Sequence, residues 1–300
     1  MLDSMIGANH RRAALLLVSI FVLLAAVVYA AYYLLALDAT WLLPLGLMTL
    51  VSPWVAYFGA HRMVIAATGA FDADPVGFRQ LHNVVEEMAI AAGLPKPRVM
   101  IVDDGAPNAF ATGRNPEHAV IAVTTGLLSK LDREQLQAVI GHELAHIANR
   151  DMLVGTLAAS LTGLIMVLAD LSLRFGLSGS RDRRNKEGAG LGLVLALVVM
   201  LLAPVGAALL RAAVSRRREF LADTSSAELT RNPAGMRRAL EALAADSTEL
   251  VRISPSTSAL WIEEPNPKAQ RGAMSWLTKM YATHPPLPDR IEAMRILEQG

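Results

Sequence analysis

Long apolar runs alternate with amphipathic and polar segments along this chain. Residues 13–37 carry no charge and exceed the roughly 20 residues with which a helix crosses a bilayer. Residues 39–60 form a second apolar window, and two more follow at 152–173 and 189–210. The pattern predicts four transmembrane or membrane-embedded helices, two near the N-terminus and two that form an apolar hairpin later in the chain.

Each pair of windows has an alternative interpretation. The first window could be a cleaved secretory signal with residues 10–12 as its basic region, but its apolar stretch is too long and a second window follows almost at once. The hairpin could be buried inside a soluble domain. However, Gly155, Ala159 and Gly163 form a stripe of small residues that allows close helix packing in lipid. We therefore expect retained membrane helices.

The segments between and after these windows have the pattern of an aqueous domain. Residues 75–92 show helical periodicity, and RVMIVDD, APNAFATG and HAVIAVTT read as short strands. Asp132, with Gln135 three residues later, is typical of a helix N-terminus. These elements predict an α+β fold that is mostly helical and contains a small β-sheet.

The apolar pattern also divides the chain into four parts. Residues 1–60 would hold two transmembrane helices, and 61–151 the first part of the aqueous domain. The hairpin would occupy 152–210, and 211–300 would complete the aqueous domain. The first part of the aqueous domain and the apolar hairpin would then be joined without a linker. A continuous helix would place the residues around 146 only about 9 Å from the apolar run.

Basic residues indicate the orientation. Arg11 and Arg12 precede the first window, so the N-terminus and the region after residue 60 are expected in the cytoplasm. The loop at 181–186 conflicts with this rule, since it carries Arg and Lys yet would lie outside if both hairpin helices cross. Either the hairpin enters the membrane without crossing, or the loop is carried across. The length of both windows favours full spans.

Composition narrows the chemistry. Apolar residues make up 53% of the chain and charged residues 18%, which agrees with the membrane windows. The net charge of +1 provides no basic footprint for nucleic acid. Because the chain has 0 cysteines, disulfides and thiolate ligands are excluded, and any metal must bind to His, Asp or Glu.

The stretch GHELAH carries the strongest chemical signal. His142 and His146 lie four residues apart, so they project from one face of a helix and can both bind one zinc ion. Glu143 is offset from them and can act on a water molecule as a base.

A third ligand is needed to complete such a site. Asp151 is close in sequence, but its direction is poor for a ligand. Glu219 in EFLAD is the better candidate, and it would leave one position open for water and substrate, as in catalytic zinc sites. Asp223, one turn later, could hold a ligating histidine through a hydrogen bond.

GHELAHIANRD, REFLADTSSAELT and ATHPPLPDRI, in this order, resemble the HtpX-type membrane zinc endopeptidases, which are relatives of the CAAX-prenyl proteases. The resemblance covers nearly the whole chain and implies a gluzincin-like zinc metallopeptidase domain. It implies a bacterial inner-membrane, multi-pass protease of protein quality control, with its catalytic domain in the cytoplasm. By motif match, His142, His146 and Glu219 would bind one Zn²⁺ per chain, Glu143 would be the general base, and Asp223 would support a ligand.

Two further motifs resemble the family less specifically. His284 in THPP is similar to a histidine that can donate to the oxyanion of the tetrahedral intermediate, although it could equally be a helix-entry residue beside two prolines. Asn108, Ala109, Phe110 and Ala111 are similar to the family's substrate strand and could pair with an extended peptide. An ordinary edge-strand turn is the alternative.

The function that we expect is a zinc-dependent endopeptidase that hydrolyses misfolded or damaged membrane proteins at the cytoplasmic face. Its partners would be the membrane and polypeptide substrates, and no nucleic acid. One alternative is a protease that cuts inside the membrane, which the polar stretch LDREQLQAV disfavours. Another is a catalytically silent membrane adaptor or chaperone, against which the intact Glu143 argues. The sequence leaves cleavage preference and oligomeric state open.

Overall fold

The computed structural model describes residues 2–34, 38–181, 196, 198–200, 216–251, 257–263 and 285–299. Its helices are α1 (Leu2–Leu34), α2 (Leu42–Thr68), α3 (Arg79–Ala91), α4 (Thr125–Lys130), α5 (Arg133–Ala148), α6 (Met152–Arg181), α7 (Arg216–Thr230), α8 (Pro233–Ala245) and α9 (Leu287–Gln299). Its strands are β1 (Phe71–Asp72), β2 (Arg98–Val102), β3 (Ala109–Thr112) and β4 (Val120–Thr124). The mostly helical fold with a small sheet confirms the predicted class.

The strands form one mixed sheet in the order β1–β2–β4–β3. Strands β2 and β4 run parallel at its centre, with Ile101 opposite Val123. Strands β1 and β3 lie antiparallel to their neighbours at the two edges. The three predicted strands are therefore confirmed. The short β1 and α4 were not predicted, because two and six residues are too few to show a periodicity.

Both faces of this sheet are buried. On one face, Val99 and Ile101 join the main core with residues of α3 and α5. On the other face, Met100, Phe110 and Trp261 form a second cluster with residues of α2 and α6. A strand that is buried on both faces needs apolar residues at nearly every position. This requirement explains why β2 and β4 are almost continuously apolar.

Helix α5 packs against α3, α7 and α8. Its start is the predicted capping box: the Asp132 side chain accepts from the Gln135 N–H, and the Gln135 side chain accepts from the Asp132 N–H. Further along, Ile140 and Leu144 are fully buried. The motif helix is thus fixed at its N-terminus by capping and along its length by core packing.

The prediction of a continuous helix from the GHELAH motif into the apolar run is wrong. Helix α5 ends at Ala148, and the axis of α6 is turned by 87° from it. Arg150 adopts a left-handed backbone with φ of 56°, which interrupts the α-helical hydrogen bonds at this point. The turn brings Asp151 back beside the C-terminal end of α5.

One helix in the described part of the chain is long and apolar enough to cross a membrane, namely Ala39–Thr68, which contains α2. A bent pair, Arg133–Ala148 with Met152–Val167, meets the same requirement only when counted as one span. The four predicted membrane helices are therefore not confirmed. The fourth window, 189–210, lies mostly outside the described residues.

The third window has a second reason to be apolar. In the first turns of α6, Leu153, Val154 and Leu157 are buried in a cluster with Ala13 and Ala60 from α1 and α2. Helix packing within the protein therefore accounts for part of the apolar pattern that the sequence attributes to lipid.

Trp261 should be an anchor of the second cluster. Its side chain is fully buried, and its ring meets that of Phe110 edge to face at 4.7 Å between centroids. We expect Trp261→Ala to lower the free energy of unfolding by about 3–5 kcal/mol, because it leaves a large cavity. Chemical denaturation in detergent measures this loss. Val251→Ala, at a side chain that is 85% exposed, is the control and should change stability by less than about 0.5 kcal/mol. Equal stability of both variants would contradict this role.

Candidate metal centre

His142 and His146 project from the same face of α5, as their spacing predicts. Their Nε2 atoms lie 3.1 Å apart, and the side chains are 1% and 17% exposed. Both Nε2 atoms therefore point into one small volume that is largely shielded from water.

Glu219 reaches the same volume from α7. Its Oε2 lies 3.6 Å from His142 Nε2, and its Oε1 lies 3.7 Å from His146 Nε2. Zinc binds nitrogen and oxygen at about 2.0–2.1 Å, so ligand atoms in a tetrahedral site lie about 3.3 Å from each other. The separations in this cluster are close to that value. The structure thus brings together the three residues that the sequence singles out as ligands, in a spacing that fits a metal ion.

Asp223 holds His142 from the opposite side. Its Oδ1 lies 2.8 Å from His142 Nδ1, and its two oxygens accept hydrogen bonds of 2.8 and 2.6 Å from Arg290. Burial raises the pKa of Asp223, but the Arg290 guanidinium outweighs it and holds the pKa below its usual range. An ionised Asp223 keeps the proton of His142 on Nδ1, which leaves the Nε2 lone pair for a metal.

Asp151 does the same for His146. Its carboxylate oxygens lie 3.1 and 3.2 Å from His146 Nδ1, and Arg218 Nε lies 3.9 Å from Asp151 Oδ2. The sequence pointed to Asp151 only as a poor ligand. In the structure it contacts Nδ1 of His146, the nitrogen that faces away from the cluster, because the bend after α5 turns its side chain back toward the helix.

The electrostatics of the cluster favour positive charge. Burial lowers the pKa of His146, but Asp151 and Glu219 raise it to about 10 overall. Burial also lowers the pKa of His142, while Asp223 and Glu219 raise it above its usual value. The carboxylates that raise these pKa values would also attract a bound cation. The excess of carboxylates around the two histidines is therefore compatible with a divalent metal.

Glu143 lies in the same cleft but is not one of the three clustered ligands. Its side chain is buried, and burial raises the pKa of its carboxyl group above the usual value. A carboxylate with a raised pKa is a stronger proton acceptor than a free one. Its position one residue after His142 directs it toward the cleft rather than toward the helix core.

A narrow cleft opens over these groups. Strand β3 contributes Ala111 to its lining, α6 contributes Met152 and Gly155, and residues 259–262 form the remaining wall. These last residues belong to a segment, 257–263, that we call the strap. Of the predicted substrate strand, Ala109, Phe110 and Ala111 lie in β3 and Asn108 precedes it. His284 lies outside the described residues.

Residues 75–298 match peptidase family M48. This chain belongs to peptidase family M48. It is 39% identical over 293 residues to a protease HtpX homolog of Thermoanaerobacter pseudethanolicus, covering 96% of this chain and 95% of that protein. It is 41% identical over 309 residues to a protease HtpX homolog of Streptococcus gordonii, covering 98% and 99%.

A solved structure, the crystal structure of S. mikatae Ste24p, is similar over 97% of this M48 chain and 67% of that one, with a TM-score of 0.49 and 16% identity. The family and the relatives confirm the resemblance drawn from the three motifs. They also confirm the predicted class of enzyme: this M48 peptidase is a metalloendopeptidase, a hydrolase of peptide bonds.

Sequence reasoning missed two supporting residues of the centre. Arg290 lies 67 residues from Asp223, and no periodicity connects them. Asp151 depends on a bend that apolar patterning does not reveal. The one available signal is its position: a carboxylate directly after the motif helix can turn back onto the last turn of that helix.

Asp151→Asn tests this support. The amide carries no charge, so it should hold His146 less firmly and lower its basicity, and we expect zinc affinity to fall about 10- to 100-fold. Competition with a chromogenic chelator measures the dissociation constant. The matched control is Asp103→Asn, the same change at an exposed aspartate outside the cleft. Unchanged affinity in Asp151→Asn would show that the contact with His146 does not tune the ligand.

Proposed function

We propose that this M48 peptidase binds one Zn²⁺ through His142, His146 and Glu219 and cuts polypeptides with Glu143 as general base. The observation that carries the proposal is the buried cluster of two imidazole nitrogens and one carboxylate, with a further buried carboxylate in the same cleft. Two histidines and one glutamate are a donor set of catalytic rather than structural zinc sites, since they leave a position open.

The side chains of the centre would have different roles in hydrolysis. When bound, zinc supplies Lewis acidity that polarises the carbonyl group and makes a water molecule more acidic. Glu143 takes the proton of the attacking water and passes it to the leaving amine, a role for which its raised pKa suits it. Asp223 and Asp151 keep both histidines oriented with Nε2 toward the metal. We further propose His284 as a donor to the oxyanion.

Strand β3 would receive the substrate. It is an edge strand of the sheet, and Ala111 lines the cleft together with Glu143. An extended peptide added at such an edge gains main-chain hydrogen bonds, whereas side-chain choice stays loose. We therefore propose that the segment Asn108 to Ala111 aligns the substrate across the metal centre, through the main-chain groups of its outer edge that other parts of the chain do not occupy.

The position of the centre relative to the membrane limits which polypeptides can reach it. Helix α2 is long and apolar enough to span a bilayer, and three residues separate the end of α5 from the start of α6. We therefore propose that the centre lies near the membrane surface. We propose that the substrates are misfolded or damaged membrane proteins. The named relatives are bacterial proteins, which supports a bacterial plasma membrane as the location. We propose that it is the inner membrane where the cell has two, with the catalytic part in the cytoplasm, as the basic residues before the first window indicate.

Two alternatives are less well supported. Cleavage within the hydrocarbon layer conflicts with the start of α5, where Arg133 pairs with Glu87 at 2.6 Å while both side chains are about half exposed. Such an exposed ion pair belongs in water. A catalytically silent adaptor has no use for a buried carboxylate beside the metal ligands, so the retained Glu143 favours an active enzyme.

Glu143→Gln should lower the cleavage rate by about 10²- to 10⁴-fold without loss of zinc, because only the proton acceptor is removed. Cleavage of an unfolded model protein in detergent and metal content are both measured. Glu134→Gln makes the same change on the exposed face of the same helix and should cut normally. A chelator should abolish cleavage by the wild type. If wild type binds zinc yet cuts nothing, the adaptor alternative is favoured. If Glu143→Gln cuts at the wild-type rate, the proposed mechanism is wrong.

The orientation can be tested directly, because a chain with 0 cysteines accepts single reporters. We expect a membrane-impermeant maleimide to label Ala39→Cys in intact spheroplasts, and Val76→Cys only after permeabilisation. Asn185→Cys should be labelled from outside if the hairpin crosses fully. External labelling of Val76→Cys would contradict a cytoplasmic catalytic part.

A further inference from the structure

The strap lies along the first half of β3, at the edge that faces the cleft. Ile262 N donates to Ala109 O at 2.9 Å. The Asn108 side chain accepts from Glu263 N at 3.2 Å and donates to Glu263 O at 3.0 Å. The strap thus occupies one outward main-chain position of this edge, at Ala109, and is also held by the Asn108 side chain.

The hydrogen-bond pattern of β3 identifies which residues face outward. Thr124 N on the β4 side donates to Asn108 O at 3.0 Å, so Asn108 faces β4. Antiparallel pairing alternates along a strand, so Phe110 also faces β4, while Ala109 and Ala111 present their main-chain groups to the free edge. The bond from Ile262 to Ala109 agrees with this assignment.

The outward positions on both sides of Ala111 are already engaged. At Ala109, the oxygen accepts from Ile262 and the N–H donates to Asn108 Oδ1 at 3.1 Å. At Gly113, the N–H donates to Thr156 Oγ1 at 3.3 Å. Among the described residues, Ala111 is therefore the outward position of β3 that lines the cleft without such a bond from the strap or from α6.

The strap is held firmly in place. Trp261 is fully buried against Phe110, and Ile262 O accepts from Arg290 Nη1 at 2.9 Å. Arg290 is itself fully buried and binds Asp223. A substrate that displaced the strap would regain the edge hydrogen bonds but not the burial of Trp261. It would also disturb the residue that supports His142.

We propose that this peptidase pairs with the main chain of its substrate at a single rung, that is, through the N–H and carbonyl of one residue, Ala111. The strap bound at Ala109 and Thr156 bound at Gly113 limit the pairing on either side. This inference rests on the proposed function, since it describes how the substrate lies at the same centre. The Ala111 N–H donates to one substrate carbonyl, and the Ala111 carbonyl accepts from one substrate N–H. Recognition therefore needs only a short extended segment beside the scissile bond, and the chain beyond it must turn away from the strap.

The test changes the substrate, so it carries no risk of unfolding the enzyme. A fluorescent octapeptide is copied from one cleavage site that wild type makes in an unfolded model protein, located by mass spectrometry. Each of its amides, including the scissile one, is replaced in turn by an ester, which removes one N–H with little change in shape. Dissociation constants are measured with zinc-loaded Glu143→Gln, so that binding is read without cleavage.

We expect one ester position to weaken binding about tenfold, because a single N–H to the Ala111 carbonyl is lost, and the other positions to change it less than about twofold. Two or more sensitive positions spaced two residues apart would show a longer ladder and overturn the proposal. Absence of any sensitive position would overturn it as well, since Ala111 would then not pair with the substrate.

A second measurement tests whether the strap is fixed. Hydrogen–deuterium exchange of residues 257–263 should be the same with and without bound octapeptide. Faster exchange on binding would show that the substrate lifts the strap, and the single rung would be wrong. If wild type makes no cut in the unfolded protein although zinc is bound, the proposed function fails instead. In that case the ester series, applied to a peptide that Glu143→Gln binds, still tests whether Ala111 alone pairs with the bound chain.

Discussion

The buried ion pair between Asp223 and Arg290 is the interaction on which the rest of the centre depends. Both side chains are 0% exposed. Through Asp223 the pair orients His142, and through the bond to Ile262 it positions the strap that walls the cleft. Removing one partner of such a pair costs about 3–5 kcal/mol, because an uncompensated charge stays buried. The Arg290 guanidinium in α9 therefore connects the orientation of His142, a proposed metal ligand, to the shape of the cleft.

Four carboxylates meet at this centre, and their surroundings give them different tasks. Asp223 stays ionised beside Arg290, whereas burial raises the pKa of Glu143 and makes it a better proton acceptor. Glu219 faces both Nε2 atoms, and Asp151 faces the outer nitrogen of His146. Different surroundings give carboxylates different pKa values, so that one small site can both hold a cation and transfer a proton. The identity of the residue alone does not assign these tasks.

Features that depend on neighbours in sequence were predictable. The capping box at Asp132 and Gln135, the two central strands and the common face of His142 and His146 all follow from local periodicity and spacing. The prediction of a continuous helix from the motif into the apolar run was wrong. A single left-handed residue, Arg150, redirects the chain, and periodicity does not detect it. Four separate membrane helices were not confirmed, since apolar runs look alike whether they pack against lipid or against α1 and α2.

The sequence by itself determined the family, the class of enzyme and the residues that meet around the centre, because an unusual motif at helical spacing is local information. Only the tertiary structure decided that Asp151 contacts His146, that Arg290 binds Asp223 and that the strap occupies part of the edge of β3. Those contacts join residues far apart in the chain or across a sharp turn. Their geometry depends on how the helices pack around the sheet, which no short stretch of sequence specifies.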